Sequence, residues 1–257
     1  MATPAEVQKN ALPTVQYQWL PDADYQATWD YQSQLHQDKV ARKRANRELE
    51  KTGQTSFEIP EHHLLFVEHK AVYTLGKSGS MDHLLLNEQE LDEGGFQFYK
   101  INRGGDITYH GPGQLVVYPI LDLDDFFHDV HLYVRNLEEI IIRTIADFGL
   151  RGMRERGYTG VWLAAVKGKP LRKICAIGVH LSRWVSMHGL AFNVKTNLNH
   201  FGNIIPCGIQ EDSRDVTSLS LELGREVELE EVIPRVQHHF AEVFGCKLDF
   251  STTAPTI

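Results

Sequence analysis

The chain has 257 residues, 42% of them hydrophobic and 23% charged, the make-up of an ordinary globular protein able to bury a full core. A net charge of −8 argues against a nucleic-acid partner, which needs a basic footprint, and no apolar run approaches the ~20 residues needed to cross a membrane. Three cysteines (Cys175, Cys207 and Cys246) with no Cys-x-x-Cys spacing argue against a disulfide scaffold or a thiolate zinc site, and fit a reducing, cytoplasmic setting.

In chain order, residues 1–18 read as an untethered tail without the basic-then-apolar pattern of a secretory signal. A single domain is expected over 21–250, behind a tail of residues 1–20. Asp24 is an N-cap for a helix with Tyr25, Trp29, Gln32, Leu35 and Val40 at helical spacing, and the basic run 42–47 suits its C-terminus. Residues 52–56 form a polar loop. Strands are predicted over 64–68, 71–75 and 96–101, the second closed by the turn Gly76-Lys-Ser-Gly79. Gly104, Gly105, Gly111 and Gly113 then fall within ten residues, with Pro112 fixing the second bend and an apolar strand, 115–118, beginning just after.

An amphipathic helix is predicted over 131–148 with Gly149 as its stop, then a hairpin of 161–166 and 171–181 around the turn Lys167-Gly-Lys-Pro170. Residues 184–194 continue in β-like composition. A last helix over 229–244 ends at Gly245, before a short strand at Leu248 and Phe250. Neighbouring hairpins with interspersed helices, and no linker or repeat, predict one α+β (mixed α/β) domain.

Several residues invite chemistry. Cys207 sits in a Pro-Cys-Gly turn, which suits presentation to a cleft, whereas Cys175 lies inside a predicted strand and reads as core. Period-two alternation puts Lys173, Cys175 and Ile177 on one strand face, so Lys173 is either solvated at the strand end or buried to support a thiolate. His110 and His188 are placed for a site. The adjacent pairs His62-His63 and His238-His239 are poorly placed to chelate one ion, and no metal site or nucleotide-binding glycine loop is evident. Arg151, Arg154, Arg156, Lys167, Lys169, Arg172 and Lys173 face a single acid, Glu155, over 151–173. This is a basic patch on an acidic protein, suited either to solvent or to an acidic partner.

Four segments, Arg103-Gly-Gly-Asp-Ile-Thr-Tyr-His-Gly-Pro-Gly-Gln114, Lys173-Ile-Cys-Ala-Ile-Gly-Val-His180, His188-Gly-Leu-Ala-Phe-Asn193 and Ile205-Pro-Cys-Gly208, resemble in content and order the lipoyl(octanoyl) transferases, relatives of the biotin and lipoate protein ligases. The likeness runs over about 25–244, while the stretch before Pro21 and residues 42–56 are longer than the family pattern. It implies the family's catalytic fold, a mixed sheet packed with helices, and transfer of octanoyl from acyl carrier protein to a lipoyl-domain lysine. The acceptors implied are the lipoyl domains of 2-oxoacid dehydrogenase complexes and the glycine cleavage H protein. Cys207 would be the nucleophile and Lys173 its partner. The acyl group would be held by Arg103, Gly104, Gly105, Asp106, Ile107, Thr108, Tyr109 and His110, by Ala176, Ile177 and Gly178, and by Gly189, Leu190 and Ala191.

That chemistry needs no cofactor, because a thioester donor is already activated. Two rivals remain at this level: an ATP-dependent lipoate or biotin ligase on the same fold, and a non-catalytic acyl-binding module. The pairing of Cys207 with Lys173 favours the transferase over both.

Overall fold

The computed structural model describes residues 12–54, 61–205, 214–255 and 257. Among these, β12 (Lys247–Asp249), β1 (Thr14–Ala23), β2 (His62–His69), β6 (Gln114–Ile120), β10 (Val185–Asn193), β9 (Leu171–Ser182), β8 (Tyr158–Leu163) and β7 (Gly152–Glu155) lie side by side in that order. A ninth strand, β11 (Arg214–Val216), pairs with β9. β1 runs parallel to both its neighbours and β11 parallel to β9, and the remaining pairs are antiparallel. A second sheet orders β4 (Gln97–Lys100), β3 (Val72–Leu75) and β5 (Ile107–His110).

Helices close both faces of the large sheet. Val15, Phe66, Val117 and Phe192 pack with Leu137 and Ile141 of α3 (Val130–Ala146) and with Val232 and Phe240 of α5 (Leu229–Phe244). On the other face, Leu65, Val67, Val116 and Tyr118 meet Tyr31, Leu35 and Val40 of α1 (Tyr25–Lys51). Short helices α2 (Glu88–Gly94) and α4 (Leu219–Leu223) complete the set. No helix among the described residues is long and apolar enough to cross a membrane.

Local chemistry explains most boundaries. The Asp24 carboxylate accepts the Ala27 N–H at 3.0 Å and opens α1 as the sequence predicts. Gly149 and Gly245, at φ 82° and 60°, follow α3 and α5 in the left-handed conformation that ends helices. The β9–β10 turn instead uses Arg183 and Trp184, at φ 52° and 65°, the twist of a two-residue hairpin turn built without glycine.

Two expectations are corrected. Residues 14–20 are no tail: β1 is an interior strand of the large sheet. Val15, Tyr17 and Trp19 alternate with Gln16 and Gln18, a period-two strand signal, and the buried Gln18 accepts from the Tyr31 hydroxyl at 2.8 Å. The C-terminal residues also join this layer, Gln18 donating to the Thr253 carbonyl at 3.1 Å, so the expected bounds 21–250 are too narrow at both ends. The basic run 42–47 does not end α1, which continues to Lys51; Lys43 turns inward onto Asp122 and, at 2.7 Å, Asp124.

Four residues upstream of Lys43, Lys39 is also buried, and its ammonium has no hydrogen-bond partner. Burial pushes this group down to about 8, against the pull of Asp122, Asp125 and Glu61. The folded protein therefore releases this proton before the unfolded chain does, and stability rises with pH from about 8 to about 10.5. Lys39→Met should raise Tm at pH 7 by roughly 5 °C, with the gain vanishing above pH 10. A differential scanning fluorimetry series that shows no gain at pH 7 contradicts this account.

Candidate active site

The glycine loop is clamped where the two sheets meet. The Gly104 N–H donates to the Val179 carbonyl of β9 at 3.0 Å, and the Gly113 N–H donates to the Glu68 carboxylate at 2.7 Å. A Cβ on Gly178 would lie 2.9 Å from the Gly104 oxygen, and one on Gly76 2.3 Å from the Gly105 oxygen. Three glycine-bearing segments thus touch backbone to backbone. Arg103 is buried among them, donating to the Thr74 carbonyl at 2.7 Å and the Gly104 carbonyl at 3.1 Å, while its Nε has no partner. Burial lowers its pKa.

These segments enclose a cavity of about 360 Å³, within the usual range of roughly 300–1,000 Å³ for small-molecule sites. Of the residues expected to hold the acyl group, Arg103, Gly104, Gly105, Asp106, Ile107, Thr108 and His110 line it, together with Ala176, Ile177, Gly178, Gly189, Leu190 and Ala191. Tyr109 does not. Strand alternation turns it into the small-sheet core, where it packs against Tyr73 and bonds His200 Nδ1 at 2.8 Å. Tyr25, Ile101, Gln114, Val116, Tyr118 and Asn193 also line the cavity and were not singled out from the sequence.

Lys173 lines the cavity as well, but not by the expected alternation. The pairing of β8 with β9 shifts register between Val161 and Trp162, opposite Cys175 and Lys173, a β-bulge that inserts Ile174. Ile174 and Cys175 both enter the main core, and Lys173 is re-aimed with its Nζ 4.6 Å from the Trp162 ring centroid. The shared face of Lys173 and Cys175 is therefore corrected, while Cys175 is the core residue it was taken to be, its thiol pKa raised by burial.

Cys207 lies outside the described residues. The chain on each side of it reaches the cavity, Phe201 from one direction and Val216 from the other, and Val216 is paired with Lys173.

Two buried histidines, His110 and His188, line the cavity, and a third, His69, lies behind Tyr118; all three are in hydrogen bonds. His69 Nε2 meets the Tyr118 hydroxyl at 2.9 Å, His110 Nδ1 the Gln114 side-chain Oε1 at 2.8 Å, and His188 Nε2 the Asn102 side-chain Oδ1 at 2.7 Å. Gln114 continues to Asn193 at 2.9 Å, and Asn193 to the Thr217 carbonyl at 3.0 Å, a polar seam ending beside Lys173. Burial pushes His69 down to about 4, and His110 and His188 down to about 3, so all three are neutral near pH 7. With Ile101, Val116, Val179 and Leu190 between them, the cavity suits an apolar chain with polar contacts at its carbonyl.

His188 holds φ 60° inside β10, and Gly189 follows where a Cβ would lie 2.0 Å from the Val117 oxygen and 2.8 Å from the Pro119 ring. Gly189→Ala should cost about 2–3 kcal/mol through forced backbone movement. Gly202→Ala, which meets nothing within 4 Å, should stay within about 0.5 kcal/mol. Urea midpoints test both, and equal costs contradict the packing argument.

Elsewhere, His238, His239 and Glu242 on α5 bring ligand atoms within 4.8 Å of one another. His239 is bonded to Asp147 at 2.9 Å, Arg143 reaches Glu242 at 3.7 Å, and none of the three potential ligands lines the cavity. In the basic segment, Arg154 is paired with Glu138 and Glu139, and Arg172 with Glu222.

A family model described as the lipoyl protein ligase A/B catalytic domain matches residues 24–241. The chain is 54% identical to a Flavobacterium psychrophilum protein named octanoyltransferase, over 91% of this chain and 97% of that one. It is 47% identical to the Cytophaga hutchinsonii octanoyltransferase, over 95% and 98%. Among solved structures it is similar to a bi-partite lipoate protein ligase of Thermoplasma acidophilum, at a TM-score of 0.64 and 15% identity, covering 96% of this chain and 88% of that one. That likeness concerns the fold.

Proposed function

The chain belongs to the lipoyl protein ligase A/B catalytic-domain family, and on that footing we propose that it is an octanoyltransferase acting in protein lipoylation through a cysteine thioester. The observation that carries the mechanism is Lys173, turned by the bulge into an apolar-walled cavity that the chain flanking Cys207 reaches from both sides.

Octanoyl-acyl carrier protein delivers its thioester to this cavity, which holds the acyl chain. The Cys207 thiolate attacks the carbonyl carbon, the carbon–sulfur bond to the carrier breaks, and the carrier thiolate takes up a proton. One thioester replaces another of similar energy, so no external activation enters the balance. The ε-amine of a lipoyl-domain lysine then attacks the acyl-enzyme, Cys207 leaves as a thiolate, and the amine's surplus proton passes to a base. Lys173 serves in both halves, as a cation beside the thiolate and as a neutral amine accepting that proton.

Backbone N–H groups of the clamped glycine segments are the natural donors to the tetrahedral oxyanion, since they are already fixed and need no reorganisation. The carrier and the lipoyl domains of 2-oxoacid dehydrogenases and of the glycine cleavage H protein are the partners this chemistry requires. Arg151, Arg156 and Lys167, all exposed, are available in the basic segment to meet an acidic surface.

The experiment is transfer itself. Octanoyl-acyl carrier protein and an apo lipoyl domain should yield the octanoyl-lysine amide without ATP. A product that appears only with free octanoate and ATP supports the ligase alternative instead.

A further inference from the structure

We infer that His83 is a positioning residue that locks the chain leading to Cys207, at Ile205, to the acyl-binding glycine loop; the role rests on the transferase reading above. His83 closes a short 3-10 turn (Met81–His83) and works in two directions. Its ring Nδ1–H donates to Asp106 Oδ2 at 2.5 Å, while Asp106 Oδ1 accepts the Ile107 N–H at 2.7 Å. Asp106 is 6% exposed, so this is a charge-assisted bond in a shielded place. The His83 main-chain carbonyl accepts the Ile205 N–H at 2.8 Å.

The same small ladder continues with the Leu85 N–H to the Asn203 carbonyl at 2.9 Å and a bridge between Leu84 and Ile204. Ile204 is buried against Tyr73, Leu75, Ile107 and Tyr109, the core beneath the glycine loop. Ile205 stands two residues before Cys207. One residue thus fixes the approach to the nucleophile against the loop that holds the electrophile.

The acyl cavity is lined without His83. Loss of its ring should therefore loosen the ladder while acyl binding persists. A reacting pair must come within about 3–3.5 Å, and a 1 Å misplacement costs on the order of a hundredfold. A loosened ladder should thus show as slower acylation at unchanged affinity.

The test compares wild type, His83→Ala and His83→Asn in three measurements: the single-turnover rate of enzyme acylation by octanoyl-acyl carrier protein, the Kd for free octanoate, and hydrogen exchange at the Ile205 amide. His83→Ala should slow acylation at least tenfold, leave Kd within twofold and lose Ile205 protection. His83→Asn, whose amide N–H can replace the ring donor, should recover most of both losses. Acylation within twofold of wild type in His83→Ala, or a Kd that weakens in step with the rate, overturns the role. A wild-type enzyme that forms no acyl adduct defeats the transferase reading instead, and Ile205 exchange in the same variants still decides whether His83 holds the ladder.

Discussion

Replacing Lys173 with methionine should lower octanoyl transfer by about a thousandfold, the scale of losing an acid–base partner. The two half-reactions should respond differently to a second substitution. Lys173→Arg keeps a cation near the thiolate, but a guanidinium does not give up its proton below pH ~12 and so cannot accept one from the incoming amine. That variant should still acylate from octanoyl-acyl carrier protein and then stall, accumulating octanoyl-enzyme in the presence of apo lipoyl domain. Lys173→Met should be slow in both halves. The ground for this contrast is the β8–β9 bulge, which aims Lys173 into the cavity with its Nζ over Trp162. Retention of more than a tenth of wild-type turnover by Lys173→Met removes the lysine from the chemistry.

Acid should unfold the protein early and steeply. Burial holds His63 and His69 down to about 4, and His110 and His188 down to about 3, against an ordinary value of 6.5. The unfolded chain binds these protons as pH falls through 6.5, whereas the folded chain refuses them until pH 4 to 3. The stability they support is therefore complete above about pH 6.5 and is lost progressively below it. With about four protons taken up on unfolding, the loss reaches about 5 kcal/mol per pH unit near pH 5, comparable to the whole stability of a typical domain. Unfolding followed by circular dichroism should have its acid midpoint between about pH 5.5 and 4. A midpoint below pH 3, or uptake of fewer than two protons per unfolding event near pH 5, contradicts the buried neutral histidines.

What the sequence carried, and what it did not, follows from whether the information was local. Asp24 opens α1 and Gly149 and Gly245 close α3 and α5, since caps and left-handed stops act within a few residues. The glycine loop was legible because its backbone needs glycine, at Gly105 for a φ of 87° and at the facing Gly76 and Gly178 for the close approach of its carbonyl oxygens. The face of Lys173 was not, because a bulge inserts one residue and inverts every later alternation, and its cause lies in pairing with another strand. Tyr25 and Tyr118 reach the cavity from α1 and β6, set there by how helix and sheet pack and not by any residue pattern of their own. β1 was read as tail although Val15, Tyr17 and Trp19 alternate with Gln16 and Gln18; what holds it in the sheet is pairing with β2 and β12, far along the chain. Tyr109 went the other way: the motif that resembles the family includes it, yet strand alternation buries it beside His200.

The claim on which the account stands is the covalent octanoyl-enzyme on Cys207, and intact-protein mass spectrometry after mixing with octanoyl-acyl carrier protein, without ATP, tests it most directly. The account predicts a single octanoyl adduct that hydroxylamine removes, that is absent from Cys207→Ser, and that passes to an apo lipoyl domain on mixing. Transfer at the wild-type rate with no adduct, or an adduct that persists in Cys207→Ser, contradicts it.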